Sequence, residues 1–192
     1  RARRANIAVK AALFVSFAIA LTVDLDTLDG KAMGLRAPLF LASAVIVPLF
    51  GWRRRWRPHA HVGDALLALP FLLDTFGNLL GFYDEYPHTD DVLHALNWIL
   101  LVLAFHAFRF RNTGHTRDAV FLGYGFGAIA IIWWEAMEWA VSKDGWGGAG
   151  GLALTYEDTI GDLVLSSTGG LIGSLLGVWC FGRKAPLEND AV

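Results

Sequence analysis

Six apolar blocks divide the chain, and short polar stretches separate each block from the next. Each block approaches the roughly 20 residues that an α-helix needs to cross the hydrocarbon core of a bilayer. Because lipid offers the backbone no hydrogen bonds, we expect every block to be helical. Strands are not expected, since the blocks are long and lack the alternation of a barrel strand. The predicted helices cover residues 7–23, 35–50, 65–82, 92–108, 119–141 and 160–181.

The composition favours an all-α, polytopic membrane protein over a soluble domain. Apolar residues make up 55% of the chain and charged residues 18%, whereas soluble domains have about 45–50% and about 25%. Six spanning helices leave room only for short connections, so we expect residues 1–192 to form a single transmembrane domain. The basic start resembles a signal peptide, but no small-x-small cleavage site follows it, and we expect it to be retained as the first helix.

The charge of the polar stretches alternates along the chain. Basic stretches hold Arg1, Arg3 and Arg4; Arg53, Arg54, Arg55 and Arg57; Arg109, Arg111 and Arg117; and Arg183 and Lys184. Acidic stretches hold Asp24, Asp26 and Asp29; Asp84, Glu85, Asp90 and Asp91; and Asp144, Glu157 and Asp158. Since cytoplasmic loops are enriched in Lys and Arg, we expect a six-helix transmembrane bundle with both termini cytoplasmic. An aromatic belt is expected from Trp52 and Trp56 inside and from Tyr83, Tyr86 and Trp139 outside.

Acidic residues recur within the predicted helices, where a charged side chain costs on the order of 2.5–3.5 kcal/mol near the bilayer centre. They come mostly in pairs three or four residues apart, which places both members on one helix face. The pairs are Asp90 with His94, Glu135 with Glu138, and Asp158 with Asp162, and Asp74 precedes Asn78 by one turn. In the expected topology all three pairs lie in the outer third of the bilayer. We therefore predict one polar pocket that opens to the extracytoplasmic side.

So many carboxylates cannot all stay ionised together without a counter-charge. Lys143 is the only base that we expect nearby, because we assign Arg36 to the first external loop and count no Lys or Arg in the outer half of any helix. A divalent Zn, Mn, Fe or Mg ion would balance the charge, and the imidazole makes Ca less suitable. The candidate metal ligands are Asp90, His94, Glu135, Glu138, Asp158 and Asp162, and the candidate catalytic residues are His94 and Glu138.

Two structural explanations compete with a metal site. Protonated carboxyl groups could hydrogen-bond to one another, to Tyr156 and to nearby hydroxyl groups, and so hold the bundle together. Asp90 and Asp158 could instead be first-turn acids that favour the helix dipole. Outside the pairs, we expect Asp64 to cap the third helix and His106 to be packed or interfacial. The loop histidines, expected to be solvated, are His59, His61, His88 and His115.

Small residues follow the sixth predicted helix, with G-x-x-x-G spacing from Gly169 to Gly173 and from Gly173 to Gly177. Such residues let helix backbones approach closely in lipid, so we expect this helix in the middle of the bundle. The alternative is that its glycine face binds another membrane protein or a second copy. Residues 145–151 are glycine-rich and predict a flexible loop. The run 52–57 predicts an interfacial anchor that attracts anionic lipid, and nucleic-acid binding is not expected.

Three motifs carry a family resemblance. They are D-D-V-L-H at 90–94, W-E-A-M-E at 134–138, and Y-E-D-T-I-G-D-L at 156–163 with G-G-L-I-G at 169–173. On these motifs the chain resembles the YjdF-like family of bacterial inner-membrane proteins and, more distantly, VanZ-like membrane proteins. The resemblance implies a multi-pass bundle in the bacterial cytoplasmic (inner) membrane, and it implies no particular reaction. Ser167 departs from the family pattern, which leads us to expect Asn there.

Three functions stay open at this point. The first is a metal-dependent enzyme that acts on a lipid or lipid-linked phosphate from the outer face. The second is a cation or proton transporter, although towards the cytoplasm we find mainly Asn97 and Ser174 to continue a polar path. The third is a non-catalytic subunit of a membrane complex, bound to its partner through the glycine face and the aromatic surface.

Overall fold

The structure, a computed structural model, describes residues 1–55, 59–109, 116–144 and 155–182. Within these ranges it contains seven α-helices, one 3₁₀ turn at Asp26–Leu28, and no strand. The helices are α1 (Ala2–Thr22), α2 (Met33–Arg53), α3 (His61–Leu79), α4 (Phe82–Glu85), α5 (Thr89–Arg109), α6 (Thr116–Asp144) and α7 (Tyr156–Phe181). The all-α fold class is therefore confirmed. Outside the described residues lie Trp56, Arg57, Arg111, His115, Arg183, Lys184 and the predicted loop 145–151.

Six of these helices are long and apolar enough to cross a membrane, namely α1, α2, α3, α5, α6 and α7. They correspond in order to the six predicted helices. The short α4 was not predicted, because it falls within a polar connection. Gly81 precedes it with φ +70°, a left-handed conformation that glycine adopts without steric cost. The chain therefore turns sharply between α3 and α4.

Two ion pairs show which connections share an end of the bundle. Lys31 Nζ lies 2.9 Å from Asp84 Oδ1, which places residues 23–32 and 80–88 together at what we call the acidic end. Lys10 Nζ lies 2.6 Å from Asp64 Oδ2, which places the first turns of α1 and α3 together at the opposite, basic end.

The helices α1, α2 and α3 share an apolar core. Phe17 and Phe40 are almost completely buried and meet edge to face, with ring centroids 5.7 Å apart. Leu13, Ala68 and the neighbouring apolar residues of all three helices surround them. Outside this core, large apolar side chains such as Ile132 are exposed, as expected for helices that face lipid.

The helix α7 packs most closely against α5, and glycines make this possible. A Cβ atom on Gly169 would meet the backbone carbonyl of Ala95, and one on Gly173 would meet that of Ile99. The two backbones therefore approach so closely that no larger residue fits between them. Gly169 and Gly173 thus face α5 within the bundle. The expected central position of this helix is wrong: among the described helices α7 packs closely only against α5 and α6, and side chains such as Leu175 and Trp179 are exposed.

Asp64 links α1 to α3. The expectation that it caps the third helix is wrong. The helix α3 begins at His61, so Asp64 lies inside its first turn and is fully buried. Its Oδ2 accepts hydrogen bonds from Asn6 Nδ2 at 2.7 Å, Lys10 Nζ at 2.6 Å and His59 Nε2 at 2.8 Å. The expectation that His59 is solvated is also wrong, since a buried carboxylate needs these donors.

Replacing Gly169 with alanine tests the close packing of α5 and α7. We expect Gly169→Ala to destabilise the bundle by about 1–3 kcal/mol, because the added methyl group would push against the Ala95 carbonyl. The change is measured as a lower Tm of the detergent-solubilised protein by intrinsic tryptophan fluorescence. Gly161→Ala on the same helix is the control, since its Cβ would meet nothing within 4 Å. Equal stability of the two variants would contradict the packing.

Candidate metal site

A cavity of about 240 Å³ lies towards the acidic end, between α2, α3, α5, α6 and α7. Its polar wall consists of Lys31, Arg36, Asp74, Asn78, Tyr83, Asp90, His94, Asn97, Glu138, Asp158 and Asp162. Its apolar wall consists of Phe40, Pro70, Phe71, Leu93, Trp98, Leu101 and Trp134. Leu101 lies about 10 Å deeper along α5 than His94, at about 1.5 Å per residue. The cavity is therefore ionic towards its rim and apolar towards the middle of the bundle.

The first group of potential metal ligands spans α5 and α7. Asp90, His94 and Asp162 each offer one ligand atom, and these atoms all lie within 4.8 Å of one another. His94 Nε2 is 3.7 Å from both Asp90 Oδ1 and Asp162 Oδ1. The local cause is that Asp90 and His94 are four residues apart in the first turns of α5, and that α7 packs closely alongside.

The second group brings in α6. His94, Glu135 and Glu138 also offer ligand atoms within 4.8 Å of one another. Because His94 belongs to both groups, we treat the five residues as one cluster and call it the ligand cluster: Asp90, His94, Glu135, Glu138 and Asp162. It contains imidazole and carboxylate donors, which together suit Zn, Mn or Fe and also allow Mg. The structure thus contains a His/Asp/Glu group that is geometrically able to hold a metal ion.

Within the ligand cluster, Glu135 is the residue whose carboxyl group lacks hydrogen-bond partners in the protein. Its side chain is only 7% exposed, and neither carboxyl oxygen has a hydrogen-bond partner among the described residues. A buried polar atom without a partner costs on the order of 1–3 kcal/mol, and more if it is charged. Native structures therefore rarely keep such an atom without a water, ion or ligand. Two oxygens of this kind beside His94 and Glu138 fit a bound cation.

Ser166 orients the His94 ring. The Ser166 Oγ lies 3.0 Å from His94 Nδ1, so the imidazole keeps Nε2 directed to the side where Asp90 and Asp162 lie. Ligating histidines usually hold their second nitrogen in a hydrogen bond of this kind, which fixes the ring. Ser166 was not among the residues predicted for the site. The sequence pattern that could have indicated it is its spacing of four from Asp162, which places both residues on the α7 face that meets α5.

The expectation that Lys143 is the only base near the acids is wrong. Arg36 belongs to the first turn of α2, and its Nη1 donates to Asp74 Oδ2 at 2.9 Å. Asp74 Oδ1 also accepts from the Tyr83 hydroxyl at 2.7 Å, so Tyr83 faces the cavity and was wrongly placed in the aromatic belt. Burial, followed by the charge of Asp74, raises the pKa of Tyr83 above its ordinary value. The hydroxyl therefore stays protonated and remains a donor.

The two bases of the cavity wall form their ion pairs outside the ligand cluster, although the charge of Arg36 also attracts Glu138 and Asp90. Arg36 is paired with Asp74, and Lys31 with Asp84, each at 2.9 Å. Both partners of these bases lie outside the ligand cluster. The ligand cluster itself contains four carboxyl groups, one imidazole and no Lys or Arg.

The remaining candidate residues have other surroundings. Asp158 lines the cavity but belongs to neither ligand group, and its backbone N–H donates to Thr155 Oγ1 at 3.1 Å, a capping bond of α7. Tyr156 is 78% exposed and so contributes little to a hydrogen-bonded acid network. His106 is packed, as expected, with its Nε2 2.9 Å from Ser174 Oγ. Asn97 Oδ1 is buried beside the cavity, without a partner among the described residues.

Comparison with known proteins identifies a family for the chain but no activity. A family described as "Predicted membrane protein (DUF2238)" matches residues 7–183, which covers nearly the whole chain. No curated protein and no solved structure matches the chain. The match supports a membrane protein of this family, and it says nothing about the ligand cluster.

The Arg36–Asp74 pair is expected to stabilise the cavity wall. Arg36→Leu should lower stability by on the order of 3 kcal/mol, because it leaves Asp74 as a largely buried charge without its cation. The double variant Arg36→Leu/Asp74→Leu should recover much of the loss, and thermal unfolding in detergent measures both. Lys31→Leu is the matched control, since its partner Asp84 is half exposed and such pairs contribute at most about 1 kcal/mol. Equal losses for Arg36→Leu and Lys31→Leu would contradict the assignment.

Proposed function

The chain belongs to the DUF2238 family of predicted membrane proteins, and we propose that its ligand cluster binds a divalent metal that acts on a lipid or lipid-linked phosphate. The ligands in this proposal come from Asp90, His94, Glu135, Glu138 and Asp162, with Asp158 as an outer acid at the cavity wall. The metal is Zn, Mn, Fe or Mg. The protein would thus be a metal-dependent enzyme within the membrane.

The observation that carries the proposal is the buried, unpartnered carboxyl group of Glu135. An acidic network held only by hydrogen bonds would give this side chain a donor or an acceptor, and the described residues offer it none. A cation would satisfy both of its oxygens and would offset the negative charge of Asp90, Glu138 and Asp162 together. The same ion would give His94 Nε2 a bond in the direction in which Ser166 already holds the ring.

The shape of the cavity supports a lipid phosphate as the substrate. A divalent ion at the ligand cluster could polarise a phosphoryl oxygen or activate water. His94 and Glu138 line the cavity. Because His94 Nε2 is assigned to the ion, we assign the transfer of protons between water and the leaving group to the Glu138 carboxyl oxygen that would not coordinate it. Below these two residues the wall becomes apolar at Phe40, Phe71 and Leu101. An amphiphile with a phosphate head and an apolar chain matches this order of polar and apolar surfaces.

The sidedness of the site also belongs to the proposal. The basic stretches of the sequence favour cytoplasmic termini, which would place the acidic end and the cavity on the extracytoplasmic side. We propose the bacterial cytoplasmic membrane and kinship with the YjdF-like proteins on the motifs at 90–94, 134–138 and 156–163. The match to the family of predicted membrane proteins is compatible with both.

Metal content is the first test. We expect detergent-purified protein to retain a divalent metal in stoichiometric amount, measured by elemental analysis after dialysis. Glu135→Gln should lower the metal content strongly, because it removes a carboxylate ligand without changing the size of the side chain.

Asp91→Asn is the control for this experiment. Asp91 neighbours Asp90 on α5, but it pairs with the exposed His88 at 3.1 Å and belongs to neither ligand group. Its substitution should leave the metal content unchanged. Metal-free wild-type protein that also fails to bind added Zn, Mn, Fe or Mg would refute the metal site.

Phosphate release is the second test. Metal-loaded protein should release inorganic phosphate from phosphatidic acid or a polyprenyl phosphate in mixed micelles. Glu138→Gln should slow this release by about 10²–10⁴-fold, the usual effect of losing a group that transfers protons. Glu85→Gln, an exposed acid of α4, is the control and should have no effect. Failure of the metal-loaded protein to release phosphate from both lipids would contradict the proposed reaction.

A further inference from the structure

A second, apolar groove lies beside the cavity, between α2 and α6. Its walls carry Leu35 and Leu39 of α2 and Met137 and Val141 of α6. Leu39 is 43% exposed and Met137 is 38% exposed. Both helices are candidate membrane spans, so the medium against these side chains is lipid. In the described part of the chain, α2 and α6 are not among the closely packed helix pairs.

The groove and the cavity are neighbours through shared residues. Arg36, Phe40, Trp134 and Glu138 line both of them. The rings of Phe40 and Trp134 lie 6.1 Å apart between centroids and form the boundary on the apolar side. On the polar side the boundary consists of Arg36 and of Glu138, a member of the ligand cluster. A molecule that lies across this boundary would place its chain in the groove and its head beside the ligand cluster.

We propose that the gap between α2 and α6 is a lateral entrance for a lipid with a phosphate monoester head. The inference rests on the proposed function and adds the route and the chain-binding surface to it. The apolar chain lies along Leu39 and Met137, and the phosphate reaches the ligand cluster past Arg36. The guanidinium has five donors, and it lies where such a head must pass.

The chemistry of the molecule that would occupy the groove follows from the charge of Arg36 and from the position of the groove in the membrane. A lipid chain is the apolar partner available to a groove that faces the hydrocarbon core. Arg36 at the boundary would repel a cationic head group. It would attract a phosphate, and the ligand cluster with its proposed metal lies beyond it. On the described part of α6, the exposed Ile132 lines neither the groove nor the cavity, so it marks lipid-facing surface outside the proposed path.

Photo-crosslinking in vesicles tests the entrance. The full chain is reconstituted with its metal into phosphatidylcholine vesicles that contain phosphatidic acid with a diazirine on its acyl chain. After irradiation, peptide mapping should find adducts concentrated on Leu39, Met137 and Val141, in excess of those on the more exposed Ile132. Diacylglycerol with the same diazirine chain should label these positions much less, since it lacks the phosphate.

Two variants block the groove from opposite walls, Leu39→Trp and Met137→Trp. Each should reduce labelling by phosphatidic acid by about tenfold or more, because extra volume in an occupied groove is poorly tolerated. Ile132→Trp is the matched control on α6, where the side chain is 60% exposed, and should leave labelling unchanged. All three positions are exposed, so the variants should fold, and their Tm values check this.

Several outcomes would overturn the proposal. Adducts that merely follow exposure along α2 and α6, equal labelling by diacylglycerol, or no effect of either blocking variant would each do so. Metal content measured in the same vesicles separates this inference from the proposed function. Retained metal with evenly spread labelling contradicts the entrance alone, whereas a metal-free protein contradicts the proposed function.

Discussion

The close approach of α5 and α7 is the constraint on which the site depends. Gly169 and Gly173 bring the α7 backbone against the carbonyl groups of Ala95 and Ile99. This contact sets the register in which His94, next to Ala95, faces Asp162 and Ser166. A larger residue at Gly169 would separate the helices and move the imidazole away from its carboxylate neighbours. Helix packing by small residues, common in membranes for stability, here also sets the distances between potential ligands.

The buried acids of the bundle differ in how much of their charge the protein itself compensates. Asp74 accepts hydrogen bonds from Arg36 and Tyr83. At the other end of the bundle, Asp64 accepts hydrogen bonds from Lys10 and from other donors close to it. Each of these buried carboxylates has donors within the protein on at least one oxygen, as low dielectric surroundings require; of their four oxygens only Asp64 Oδ1 lacks a partner among the described residues. Glu135 differs from them, because the described residues offer neither of its oxygens a partner. This contrast within one molecule supports a ligand at Glu135.

The alternative functions fit the geometry less well. A transport path would need polar groups that continue from the ligand cluster through the bundle, but the cavity ends in apolar side chains around Leu101. The buried pair of His106 and Ser174 lies further along, packed between Gly123 and Gly177. A subunit that binds its partner through the glycine face is disfavoured because α5 already covers that face.

The sequence by itself determined the spans, the all-α class and the acid pairs, because these depend on local properties. A helix long enough to cross lipid needs only an uninterrupted apolar block, and residues three or four apart share a face in any α-helix. Tertiary structure decided which acids meet. It brought Asp162 to His94 and left Asp158 outside both ligand groups, although the two aspartates lie one turn apart on α7. It also turned Arg36 towards Asp74, a pairing across 38 positions that no local pattern encodes. Such contacts depend on how the helices pack and rotate against one another, and between α5 and α7 the glycines of α7 set that packing.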